Sequence, residues 1–212
     1  MPADLVHLVR HGEVRNPEGI LYGRLPGYAL SDRGLRMAEL AAAALAERRI
    51  AALVASPMQR TQESAAPWAR RFGLPVALDE RVIEPWNVFE GRRMRRAVLD
   101  PRNWRHFARP SLPSWGEPYV DVRDRMLAAM EDAWLRSEGG DVVVVSHQMP
   151  IWTTTRAVAG LPLPHSPRRR RTALSSITTF ARDPASPTGW TEVGYREPAA
   201  GLLADAIDTG AV

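Results

Sequence analysis

Short, near-continuous apolar runs alternate along this chain with longer amphipathic stretches, and the connections between them are mostly brief. The clearest run is Val142-Val143-Val144-Val145, entered through Gly139-Gly140 and Asp141. A strand that is apolar at every position has no face to give to water, so both of its faces must be covered. Leu5-Val6-His7-Leu8-Val9 and Ile50 to Ala55 have the same character, and Pro75 to Leu78 is a shorter run. The spacing predicts helices from Ser31 or Asp32 to about Arg49, from Pro57 to Phe72, from Val120 to Leu135 and from Pro150 to about Gly160. Ala173 to Ala181 and Trp190 to Tyr195 read as two closing strands. This alternation predicts an α/β fold: one domain over residues 1–200, built on a doubly wound, mainly parallel sheet flanked by helices. Residues 201–212, rich in alanine and glycine, read as a C-terminal tail.

Composition narrows the classes. No apolar stretch reaches transmembrane length, and the opening Met-Pro-Ala-Asp lacks the basic and apolar regions of a signal peptide. The absence of cysteine leaves no disulfide framework and no thiolate metal site. A soluble cytoplasmic protein is the expectation. The net charge of +4 invites a nucleic-acid reading, but 24 acidic residues balance 28 basic ones, and every basic residue is arginine. The clusters Arg92-Arg93-Met94-Arg95-Arg96 and Arg168-Arg169-Arg170-Arg171 read instead as solvated faces or as steering for an anionic substrate. No nucleic acid and no membrane is expected as a partner.

In a parallel α/β sheet, ligands sit beyond the carboxyl ends of the strands. Three such ends carry the same chemistry here. The first delivers Arg10-His11-Gly12-Glu13, the second Ser56-Pro57-Met58-Gln59-Arg60, and the fourth Ser146-His147 followed by Gln148. Arginine offers a planar fork of donors to phosphate oxygens, and histidine an imidazole that can act as base, acid or covalent acceptor. Helix N-termini after the second and fourth strands add free N–H groups and a partial positive charge. Together these make a site for a dianionic phosphoryl group. Neighbouring strand residues point to opposite faces, so Arg10 and His11 can both face a ligand only if the pleat breaks at Gly12. A metal pair of His7 and His11 fails on distance, because four strand residues span about 13 Å.

These segments, together with Asp79-Glu80-Arg81-Val82-Ile83-Glu84, Phe89-Glu90-Gly91, and Ser114-Trp115-Gly116-Glu117 leading to Arg125, resemble the histidine phosphatase superfamily in its phosphoglycerate mutase-like branch. The likeness runs in order from Leu5 to about Gly160. It implies a phosphohistidine mechanism that uses no cofactor and no metal. His11 would be the nucleophile; Arg10, Arg60 and His147 would hold the phosphoryl oxygens; Glu84 would be the proton donor, with Glu90 structural. Asn16, Tyr22, Gly23, Arg24 and Gln148 fall where the resemblance implies substrate contacts. The spacing from His11 to Asn16 is one residue shorter than the family's, and Gln148 stands where a glycine is usual. The expected function is phosphomonoester hydrolysis of a small phosphorylated substrate. The alternatives are phosphoglycerate mutase-type transfer, for which the region after Glu84 lacks room for the usual insertion, and a non-catalytic phosphate-binding module.

Overall fold

The computed structural model describes residues 2–107 and 115–208, so Ser114 and residues 209–212 of the expected tail lie outside the description. Six strands form one sheet: β1 (Leu5–Arg10), β2 (Ile50–Ala55), β3 (Val76–Leu78), β4 (Asp141–Ser146), β5 (Ile177–Arg182) and β6 (Trp190–Arg196). Their order is β3-β2-β4-β1-β5-β6. The first four in that order are parallel, and β5 and β6 add an antiparallel edge.

Alternation of side chains along the strands builds two cores. Val6, Leu8, Val142 and Val144 meet α4 (Tyr119–Arg136) and α5 (Gln148–Val158) through Met126, Met130 and Ile151. Val9, Leu53, Ala55, Val143 and Val145 point the other way, onto α1 (Asp32–Ala43) and α2 (Gln59–Phe72) through Ala42, Ala65 and Trp68. The Val142–Val145 run is thus covered on both faces, as its composition requires.

Helix boundaries shift from the sequence reading, three of them for an evident local reason. The helix α1, capped by the Ser31 side chain on Gly34 N, stops at Ala43, where the Ala44 amide is shared between the carbonyls of Leu40 and Ala41. Helix α2 starts at Gln59 rather than Pro57, because Met58 is still extended and the Thr61 hydroxyl bonds back to Ser56 O and Met58 O. Helix α5 starts two residues before Pro150, which sits in its first turn, where a missing N–H leaves no bond unmade. The long irregular region before α4 contains the short helix α3 (Met94–Leu99). No described helix is long and apolar enough to cross a membrane.

After β6 the chain turns into α6 (Ala200–Leu203). Leu202, Leu203 and Ala206 pack against Met37 and Leu174. The Ile207 amide donates to Glu13 Oε1 at 2.7 Å, and Arg33 donates to the Asp205 carbonyl.

Candidate active site

Strand register brings the sequence motifs level. In the sheet, β4 lies between β1 and β2, with Arg10 opposite Ser146 and Ala55 opposite Val145. The residues that follow, His11, Ser56 and His147, therefore leave the sheet at one height. Strand β1 ends at Arg10; the His11 amide still reaches Ser146 O at 3.1 Å, and the chain then turns away at Gly12. A side chain on Gly12 would collide with the Gly34 carbonyl, and one on Gly34 with that of Glu13, so this departure needs two glycines. Arg10, His11, Arg60, Glu84 and His147 are all 0% exposed.

His11 Nδ1 faces Gly12 O at 2.8 Å, an acceptor that fixes the proton on Nδ1 and leaves the Nε2 lone pair bare. Burial, followed by the charges of Arg60 and Arg10, holds its pKa well below the usual histidine range. His147 is lowered in the same way, by burial and then Arg60 and His11. Its Nε2 lies 2.9 Å from Ser56 Oγ and its Nδ1 3.5 Å from Glu84 Oε2. The two imidazoles meet edge to face at 5.2 Å. Burial pushes the Glu84 carboxyl up to about 7, against the opposing pull of Arg60 and other arginines. Several buried polar atoms here have no hydrogen-bond partner among the described residues: His11 Nε2, Arg10 Nε, Arg60 Nε and Nη1, His147 Nδ1 and both Glu84 oxygens. Buried donors without partners, beside a bare imidazole nitrogen, are groups that a bound oxyanion would satisfy.

One ligand atom from each of His11, Glu84 and His147 lies within 4.8 Å of the others, a spacing that could hold a metal ion. Two buried guanidinium groups beside them give the site a positive potential, which favours an anion over a cation.

The remaining candidates divide. Tyr22 is buried, its phenol pushed up to about 12 by burial, and Arg60 lies 4.9 Å over its ring. Gly23 O accepts from Arg60 Nη2 at 2.8 Å, and Arg24 Nε donates to Glu84 O at 2.6 Å. These three hold the candidate site's own residues. Asn16 instead closes its loop, donating to Ile20 O at 2.8 Å. Gln148 Oε1 accepts from Arg170 Nη1 at 3.2 Å. The Glu90 carboxylate caps the Asn87 amide at 3.1 Å.

Two residues were not singled out by sequence reasoning. Arg170 turns inward from the second arginine cluster, its Nε donating at 3.0 Å to His165 Nε2, while Arg171 pairs with Glu192 on the surface. Asp208 reaches Arg10: Nη1 donates to Oδ2 at 2.8 Å and Nη2 to Oδ1. The inward turn of Arg170 has a signal only in Gln148, the unusual residue it binds. Asp208 is one acid in a stretch with no pattern at all.

The profile of the histidine phosphatase superfamily (branch 1) matches residues 6–191. The uncharacterized protein Rv0525 of Mycobacterium tuberculosis is 50% identical over 198 residues, covering 92% of this chain and 96% of that one. The Yersinia enterocolitica protein named "Probable phosphoglycerate mutase GpmB" is 30% identical over 194 residues, covering 87% of this chain and 89% of that one. Among solved structures, mycobacterial glucosyl-3-phosphoglycerate phosphatase Rv2419c with inorganic phosphate superposes with a TM-score of 0.73 at 25% identity. That match covers 92% of this chain and 99% of the other.

Proposed function

Because this chain belongs to the histidine phosphatase superfamily, we propose that it is a phosphomonoesterase that hydrolyses a small phosphorylated substrate through a phosphohistidine at His11. The observation that carries this reading is the state of the His11 ring: buried, neutral, with Nδ1 held by Gly12 O and Nε2 without a partner. Nε2 attacks phosphorus in line with the ester oxygen. The N–H groups of Arg10, Arg60 and His147 take up the equatorial oxygens, where charge builds in the transition state. Glu84 protonates the departing alkoxide, then removes a proton from the water that cleaves the phosphohistidine. Superposition on a phosphatase that binds inorganic phosphate supports the same ligand class.

The test is acid-labile phosphate on the protein after rapid quenching during turnover of an aryl phosphate. We expect labelling of the wild type and none of His11→Ala. A wild type that binds phosphate but neither labels nor turns over would be a binding module instead. Likeness to the Yersinia protein favours one second reading, mutase-type transfer. Incubation with 3-phosphoglycerate, with and without a bisphosphorylated primer, separates the two, since a mutase isomerises rapidly and frees little phosphate.

A further inference from the structure

We propose that Glu117 is a positioning residue for Glu84, clamping two arginines that together fix the backbone from which the acid is aimed. The inference rests on reading Glu84 as the general acid. Glu84 has a feature that gives such a clamp its purpose: neither of its carboxyl oxygens has a hydrogen-bond partner among the described residues. Apart from the 3.5 Å approach of His147 Nδ1 to Oε2, the side chain is aimed by packing and by its backbone.

That backbone is held at several points. Arg24 Nε donates to the Glu84 carbonyl at 2.6 Å, and Arg125 Nη1 donates to the Arg81 carbonyl. Ser146 Oγ donates to Val82 O at 2.7 Å, tying the segment to the end of β4. Beyond Glu84, the Glu117 amide reaches Trp86 O and the Val88 amide reaches Trp115 O at 2.8 Å. A side chain on Gly116 would lie 2.8 Å from Trp86 O, so only glycine allows this approach.

The two arginines come from elements far apart, the loop after β1 and helix α4. Glu117 joins them: Oε1 accepts from Arg125 Nε at 2.7 Å, and Oε2 accepts from Arg125 Nη2 at 3.1 Å and from Arg24 Nη2 at 3.2 Å. Three N–H donors converge on one group, which a carboxylate with two acceptor oxygens satisfies and an amide with one does not. The carboxylate also offsets the charge of Arg125, one of the arginines that act against burial to lower the Glu84 pKa. Losing Glu117 would loosen the aim of the acid and draw its proton off at lower pH.

The experiment compares wild type, Glu117→Gln and Glu117→Asp on two substrates. One is an alkyl phosphate, whose leaving group needs a proton; the other is a nitroaryl phosphate, whose leaving group does not. We expect Glu117→Gln to lower kcat/KM for the alkyl ester by about 10²-fold, the usual contribution of a positioned acid, in a parameter that ends at the phosphohistidine and so leaves out the later base step. The nitroaryl ester should change less than about threefold, and the alkaline limb of the alkyl profile should move to lower pH. Glu117→Asp should restore part of the loss. Equal losses on both esters with an unmoved limb, or no loss, would overturn the proposal. The Glu84 carboxyl is also titrated by carbon NMR in wild type and Glu117→Gln, a readout that needs no turnover. A midpoint lowered by about one pH unit supports the clamp, and an unchanged midpoint overturns it. A wild type inactive on both esters would count against the phosphatase reading alone, since the titration still decides the clamp. If Glu117→Gln does not fold, Arg24→Met removes one arm and is read in the same assays.

Discussion

His11 and Glu84 are buried to the same extent, and burial acts on them in opposite senses because it penalises charge of either sign. The imidazole is kept neutral to well below its usual range, while the carboxyl keeps its proton up to about 7. On the proposed reading, the pair is therefore poised near neutral pH as nucleophile and acid. On an alkyl phosphate, we expect the wild-type kcat/KM, which ends at the phosphohistidine, to hold through mildly acidic pH and to fall as pH rises through about 7, with no histidine limb near 6.5. A raised carboxyl pKa also has a stability sign. The unfolded carboxyl ionises near 4.5 and the folded one near 7, so folding loses up to about 3 kcal/mol as pH rises across that window. Glu84→Gln should thus melt higher than wild type at mildly alkaline pH while losing alkyl phosphate turnover, which scanning calorimetry beside a rate assay would check. Residues of this kind were legible because each stands beside a strand end or within a motif. Asp208 was not, because its partner Arg10 lies 198 residues away and no local pattern predicts such a pairing.

At the scale of elements, the register between β1 and β4 decides whether the candidate site exists, since a slip of one residue would turn His11 or His147 into a core. A buried polar link helps to fix it. His7, on β1, places Nε2 3.0 Å from Asp141 Oδ2 at the start of β4 and Nδ1 2.9 Å from Thr179 on β5. Arg48, in the connection to β2, adds two bonds to the same carboxylate. Against burial, which pushes it up, these partners hold the Asp141 pKa at about 2, so its stabilising effect is full above its ordinary value of 3.8 and lost as pH falls through about 2. Asp141→Asn leaves the half-exposed Arg48 guanidinium without its charge partner and should cost about 1–2 kcal/mol in urea unfolding at neutral pH. The four parallel strands were legible from apolar runs, whereas β5 begins at Ile177, four residues after the Ala173 at which the pattern placed its start. The helix ends were less so, because a shared amide at Ala44 and hydroxyl caps at Thr61 are set by geometry that periodicity does not carry.

Across the whole molecule, the first and last parts of the chain converge on one side of the sheet. The alternation of runs is enough to read the α/β class, because both faces of an apolar strand must be covered. It does not reveal that the C-terminal segment crosses back over the site, which depends on Leu202, Leu203 and Ala206 finding Met37 and Leu174. The Asp208 carboxylate, 39% exposed, fills the outer fork of Arg10, which is 0% exposed. On the proposed reading, an incoming phosphate takes that fork from it. Ligands ordinarily protect a protein against proteases by stabilising its folded form. Here inorganic phosphate or vanadate should do the reverse at one place, releasing residues 204–208 and making them easier to cut while the domain itself becomes harder to digest. Limited proteolysis with and without vanadate, followed by intact mass, reads this directly, and in Asp208→Ala the C-terminal cut should already be fast without ligand.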